Sequence, residues 1–209
     1  MKYRLVIFDF DGTLANSLPW VTKVIDKVAE RFQFRPIHHS EHKLLRNYDA
    51  SNLFKHLGLP LWKVPLIGNY VRKLMAEDIQ HVPLFGGVGS LLKKLSQNKI
   101  HLAVVSSNSF ENVRQVLGQE LTALINHFEC GVTIFGKGLK LRKVLHKSGI
   151  RSNDAIYIGD EIRDIEAANH IGIASGAVSW GYNSVEALIA RHPTELFRSV
   201  AEIAEKILN

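Results

Sequence analysis

Five short apolar runs, most of them without polar alternation, limit the fold of this chain more than any other feature. They are Arg4–Phe10, His101–Ser106, Phe128–Ile134, Ala155–Gly159 and Ala174–Ser179. A strand with one wet face alternates apolar and polar residues. A strand that does not alternate is covered on both sides, as in a parallel sheet with helices over each face. The stretches between the runs supply those helices. Val88–Asn98 puts Val88, Leu91, Leu92 and Leu95 on one stripe with Lys93 and Lys94 opposite, and Phe110–Leu117, Leu139–Lys147 and Ile162–His170 look similar. Strands alternating with helices predict an α/β fold, a doubly wound, Rossmann-like parallel sheet. Functional groups in such sheets gather at the carboxyl ends of the strands, near the point where strand order reverses.

The rhythm breaks once. Between Ala15 and Val82 nothing reads as a strand, while Pro19–Phe34 reads as a helix with Val21, Val24, Ile25 and Val28 inward, and Ser51–Leu57 and Pro65–Ile79 read as helical too. This predicts an all-helical insertion over residues 15–82. The α/β core then comprises residues 1–14 and 83–209, re-entered near Pro83-Leu84-Phe85-Gly86-Gly87. Of the formal charge of +6, most sits on the insertion, which has ten Lys/Arg against six Asp/Glu; the remainder has sixteen against fourteen. A basic cover suits an anionic substrate that needs steering, and a solvated surface with scattered lysines has the same composition. No dense Lys/Arg run with interleaved aromatics is present, which argues against nucleic acid as a partner. With 46% hydrophobic and 22% charged residues among 209, one globular domain carrying an insertion is expected.

Cys130 is the only cysteine, so no intrachain disulfide can form, which fits a reducing compartment. The N-terminal apolar run is too short for a signal peptide and is broken at once by Asp9 and Asp11. No stretch approaches the roughly 18–20 apolar residues of a membrane span. A cytoplasmic protein without membrane contact, monomeric or weakly dimeric, is the expectation.

The first apolar run ends in Phe8-Asp9-Phe10-Asp11-Gly12-Thr13, and the fourth in Gly159-Asp160-Glu161-Ile162-Arg163-Asp164. Asp164 lies one helical turn after Asp160, so Asp9, Asp11, Asp160 and Asp164 can converge. Four carboxylates together need a cation, and a hard divalent ion such as Mg²⁺ matches oxygen donors. The second run ends in hydroxyls at Ser106-Ser107-Asn108 before a helix, a place that supplies N–H and O–H groups for a phosphate. Gly136-Lys137-Gly138 precedes another helix and offers an ammonium. A nucleophile, an acid, a metal and charge clamps are the parts of phosphoryl transfer. Register leaves Ser106 or Ser107, and Lys137 or Lys140, as the reacting pair; Ser106 and Lys137 are preferred. Glu161 is either a ligand or a first-turn acid placed well for the helix dipole. His38, His39 and His42 have metal-ligand spacing but no fourth ligand nearby, and read as a solvated loop.

The order DxDGT, strand-end Ser, Lys, GDxxxD resembles the haloacid dehalogenase-like hydrolase superfamily over nearly the whole chain, and most of all its phosphoglycolate phosphatase-like group, which carries a helical cap where the insertion falls. The resemblance implies that Asp9 is a nucleophile forming an aspartyl-phosphate and that Asp11 is the general acid and base. It implies Mg²⁺ held by the Asp9 carboxylate, the Asp11 backbone carbonyl and the Asp160 carboxylate, with Asp164 orienting a water or Lys137. Ser106 and Lys137 would hold the phosphoryl oxygens, with the backbone after Asp9 (Phe10, Gly12, Thr13) and Ser107 and Asn108 completing the cradle. Arg46 would reach a substrate group from the cap, unless it is a surface arginine. The implied substrate is a small phosphorylated metabolite. A phosphosugar mutase shares the same machinery, a phosphonate hydrolase would need a cap lysine such as Lys23, Lys27 or Lys43, and a non-catalytic phosphate-binding module would have had no need to keep the full set. Asn16 stands where relatives often carry Asp.

Overall fold

The computed structural model describes residues 2–131 and 136–209. Its centre is a six-stranded sheet, entirely parallel, made of β1 (Leu5–Phe8), β2 (His101–Val105), β3 (His127–Glu129), β4 (Ala155–Gly159), β5 (Ala174–Val178) and β6 (Glu195–Phe197) in the order β3-β2-β1-β4-β5-β6. Alternate residues of each central strand enter opposite apolar clusters. Val6, Phe8, Leu102, Val104, Ile156 and Ile158 face one way, against α5 (Val88–Gln97), α6 (Phe110–Thr122) and α10 (Val200–Leu208). Leu5, Ile7, Ala103, Val105, Ala155 and Tyr157 face the other, against α7 (Lys137–Ser148) and α8 (Ile162–Ile171). Both faces are covered, which is why the strands carry no alternation.

The winding follows from handedness. Right-handed crossovers from β1 to β2 to β3 put α5 and α6 on one face. The chain then passes beneath the sheet through α7 to reach β4, and α8 stays on that second face. The direction of travel across the sheet thus reverses between β1 and β4, which pair directly, Leu5 with Ala155 through Phe8 with Ile158.

A helical insert lies between β1 and β2. It holds α1 (Leu18–Phe32), α2 (His42–Leu45), α3 (Ala50–His56) and α4 (Val64–Glu77). It has its own small core, where Val28 and Ala29 of α1 pack with Phe34, Leu57, Leu59 and Val64. Trp20, Met75, Ile79 and Val82 join the larger core instead and root the insert in the sheet domain.

Several expected bounds are corrected. β3 starts at His127 and stops at Glu129, and residues 132–134 of the expected run lie outside the described residues. α6 runs past Leu117 to Thr122 through a kink at Gly118, whose φ of 71° no side-chain-bearing residue adopts readily. α7 begins at Lys137 rather than after it. β6 was not expected, because three residues at a sheet edge leave too short a pattern to read. The short α9 (Val185–Ile189) and α10 were likewise not anticipated.

Candidate active site

Asp9 is the first residue beyond β1 and Asp160 the first beyond β4, so the two carboxylates stand side by side at the switch point of the sheet. The Asp9 N–H donates to Ile158 O at 2.8 Å, a sheet-like bond that holds the residue in line with β4. The helix after β4 brings in Asp164. Glu161 is the N-cap of α8, its carboxylate accepting from the Asp164 backbone while the Asp164 carboxylate accepts from Glu161 N at 3.0 Å. This reciprocal cap fixes Asp164 beneath Asp160. Glu161 is thereby spent on the cap and on Arg163 Nε at 2.6 Å, and stands outside the aspartate group.

Lys137 reaches the same point from the first turn of α7. Its side chain is buried to 2% exposure, and its ammonium donates to Asp9 Oδ2 at 2.5 Å and to Asp164 Oδ1. The Tyr157 hydroxyl adds a bond to Asp164 Oδ1 at 3.1 Å and one to Val105 O at 3.3 Å. Lys140, the alternative lysine, instead pairs with Glu129 at the end of β3, at 3.0 Å. The Asp160 oxygens are held by the Thr13 hydroxyl at 2.7 Å and by Tyr182 N–H at 2.8 Å.

Burial raises the carboxyls of Asp9 and Asp160 above the ordinary range. For Asp9 the Lys137 charge opposes that rise, and for Asp160 the neighbouring acids add to it. Burial would raise Asp164 too, but Lys137 and Arg163 outweigh it and hold the carboxyl below its usual value. The Lys137 ammonium is likewise disfavoured by burial, yet its two aspartates win and keep it charged. Three buried carboxylates thus face one buried ammonium. One oxygen each of Asp9, Asp160 and Asp164 lies within 4.8 Å of the others. An all-oxygen group in which three carboxyls meet one ammonium suits a hard divalent cation, so the donor set fits Mg²⁺.

The Asp11 carboxylate turns away from this group. Its Oδ2 accepts from Asn108 Nδ2 at 3.0 Å, and its Oδ1 is buried with no hydrogen-bond partner among the described residues. Burial raises its carboxyl, against the nearby Ser17 hydroxyl and Asn108 amide. The structure therefore gathers three of the four expected carboxylates into one cluster and sets Asp11 beside it, which leaves its backbone carbonyl as the group the resemblance would use. Gly12 makes the departure from the strand possible. Its φ is +75°, and a Cβ there would lie 2.1 Å from Asp160 Oδ2.

The remaining expected residues are placed as follows. Phe10 buries its ring in the core while its N–H donates to Asp9 Oδ1 at 2.7 Å. The N–H groups of Gly12 and Thr13 close turns on Ala15 O and Phe10 O. Ser106 is fully buried, and its hydroxyl accepts from Asn108 N at 3.1 Å. Ser107 O accepts from Arg72 of α4 at 3.0 Å. Arg46 donates to carbonyls of the loop after β5 rather than projecting free. Lys23, Lys27 and Lys43 are exposed, and His38 and His42 join no metal-type cluster among the described residues. Cys130 is half-buried, with burial pushing its thiol up to about 12. Trp180 packs on Phe85 and donates to Thr13 O at 3.2 Å, so it lines the motif loop. Tyr157 was not anticipated as a site residue. A tyrosine within an otherwise aliphatic strand was the available signal, since a buried hydroxyl needs a partner.

A family model described as haloacid dehalogenase-like hydrolase matches residues 6–178. A phosphoglycolate phosphatase of Synechococcus elongatus is 30% identical over 205 residues, covering 98% of this chain and 97% of that protein. Phosphoglycolate phosphatase 1 of Pseudomonas aeruginosa is 25% identical, over 96% and 78%. Among solved structures, a predicted phosphatase from Clostridium acetobutylicum superposes with a TM-score of 0.82 at 24% identity, covering 100% of this chain and 99% of that one. A predicted phosphoglycolate phosphatase from Haemophilus somnus does so with a TM-score of 0.77 at 22% identity, over 100% and 99%. At these identities the structures speak for the fold.

Proposed function

Because the chain belongs to the haloacid dehalogenase-like hydrolases, we propose that it hydrolyses a small phosphomonoester through a covalent intermediate on Asp9. The observation that carries this reading is the buried group at the switch point, with Lys137 bridging Asp9 and Asp164 beside Asp160. A carboxylate needs no activation to be nucleophilic, but it must be ionised. The Lys137 ammonium favours the charged form of Asp9 against the cost of its burial.

In the first half-reaction an Asp9 oxygen forms a bond to phosphorus as the bond from phosphorus to the ester oxygen breaks. The departing alkoxide takes its proton from Asp11. Burial suits Asp11 to this task, because it favours the protonated carboxyl that can give its proton to the leaving group. In the second half, Asp11 accepts a proton from water as the water oxygen bonds to phosphorus. Asp9 is released as carboxylate, and inorganic phosphate is formed. Lys137 neutralises charge on the phosphoryl oxygens, with the Ser106–Asn108 turn alongside. Asp9, Asp160 and the Asp11 carbonyl would hold Mg²⁺, with Asp164 behind them; when bound, the ion supplies charge that offsets the crowded carboxylates and the phosphoryl group.

Phosphoglycolate is the first ester to try, because the 30% identical relative bears that name. The test is release of inorganic phosphate from phosphoglycolate, sugar phosphates and nucleotides, each with Mg²⁺ or with chelator. Release that depends on Mg²⁺ supports the proposal. Release unaffected by chelator, or none from any ester, contradicts it.

A further inference from the structure

The loop after β5 joins the helical insert to the metal-type cluster through two consecutive peptide units. Arg46 follows α2 in the insert. Its Nη2 donates to Gly181 O at 2.9 Å and its Nε to Tyr182 O at 3.1 Å, with a longer contact from Nη2 to Asn183 O at 3.4 Å. The N–H on the far side of the first of these peptides, Tyr182 N, donates to Asp160 Oδ2 at 2.8 Å. The N–H on the far side of the second, Asn183 N, donates to Asp160 O at 3.3 Å. Each planar peptide therefore has its oxygen on the Arg46 guanidinium and its N–H on Asp160.

The arrangement is tight at both ends. A Cβ on Gly181 would lie 2.1 Å from Asp160 Cβ, so the loop has no room to shift inward. On the insert side, Asn183 Nδ2 donates to Arg46 O at 2.8 Å and to Tyr48 O at 2.9 Å, and Ser184 N donates to Arg46 O at 2.8 Å. Arg46 makes no ion pair among the described residues, and the hydrogen bonds of its guanidinium there go to these carbonyls. A cation on a carbonyl oxygen polarises that peptide and strengthens the N–H at its other end as a donor.

We infer that Arg46 is a positioning residue for Asp160, fixing its carboxylate through the peptide 181–182 and its backbone carbonyl through the peptide 182–183. The inference rests on the proposed metal-dependent phosphatase reading and deepens it. It replaces direct contact with substrate by action at one remove. A lysine serves less well, because its rotatable ammonium lacks the fixed fork with which a guanidinium spans two carbonyls.

The test is calorimetric titration of Mg²⁺ into the full chain without substrate, comparing wild type with Arg46→Gln and Arg46→Lys. Steady-state kinetics on phosphoglycolate and p-nitrophenyl phosphate accompany it. Positioning predicts that both variants bind Mg²⁺ about tenfold more weakly, within the range seen when groups behind metal ligands are removed. It also predicts that both esters lose turnover alike at limiting Mg²⁺ and recover at high Mg²⁺. Arg46→Lys keeps the charge and serves if Arg46→Gln does not fold. Unchanged Mg²⁺ affinity with a raised KM for phosphoglycolate alone would mean that Arg46 touches the substrate carboxylate, and would overturn the inference. If wild type itself binds no Mg²⁺, the metal-dependent reading falls and the inference with it, an outcome distinct from a variant that matches wild type.

Discussion

Lys137 carries the electrostatics of the site at the scale of single residues. Its burial costs several kcal/mol of solvation, and only the paired carboxylates of Asp9 and Asp164 offset that cost. Removing one member of such a group leaves uncompensated charge. Lys137→Met should therefore lower unfolding stability in chelator by about 3–5 kcal/mol, read from urea unfolding near neutral pH. A loss under about 1 kcal/mol would mean that the ammonium is not the counterion described here. The sequence favours Lys137, and reads Lys140 as an exposed helical lysine, without deciding between them. What decides between them is the start of α7 at Lys137, which turns one lysine inward and the other toward Glu129. The aspartates were legible for the opposite reason. Asp9 and Asp160 each follow a strand end where an apolar run stops, and Asp164 comes one helical turn after Asp160, so local sequence alone places them.

Helix α7 shows a second charge device at the scale of elements. Glu129 ends β3 with its side chain buried, and Lys140, Lys143 and Lys147 reach it from one stripe of α7, at 3.0, 2.9 and 2.8 Å. Burial would raise the Glu129 carboxyl, but the three lysines outweigh it and lower it from 4.5 to about 2. A carboxyl lowered on folding contributes stability that is complete above about 4.5 and disappears as pH falls toward 2. The difference in Tm between wild type and Glu129→Gln should thus be largest near neutral pH and shrink across that window. High salt should reduce it as well, because the lysines are 34–51% exposed. A difference that stays constant from pH 7 to pH 2 would rule out Glu129 as the titrating group. The spacing of the three lysines was readable as a helical stripe, but their partner on β3 was not. The contact spans residues that only the parallel pairing of β2 and β3 and the crossover of α7 bring together.

The whole molecule places its acidic cluster where sheet order reverses and lays a basic helical insert against the same end. The sheet was legible in the sequence because buried parallel strands are continuous apolar runs; β6 escaped because an edge strand of three residues is not. The insert was legible as an interruption of the strand–helix rhythm. Its contacts were not, since Arg46 with residues 181–183, Arg72 with Ser107 and Met75 with Asn108 are all long-range. Binding of Mg²⁺ to the folded chain alone stabilises it by mass action, about 2.7 kcal/mol at a hundredfold excess over Kd. For a chain of this size that is roughly a 5–10 °C rise in Tm. Wild type should show the rise and Asp160→Asn should lose most of it. An equal rise in both would place the ion elsewhere.

The most direct measurement is to mix the protein with phosphoglycolate labelled on phosphorus in Mg²⁺, quench in acid within a single turnover, and map the label by peptide. Asp9 as nucleophile predicts label on the peptide that contains Asp9, and neither label nor phosphate release from Asp9→Asn that melts like wild type. Phosphate release with no protein-bound label, or turnover by Asp9→Asn, would contradict it.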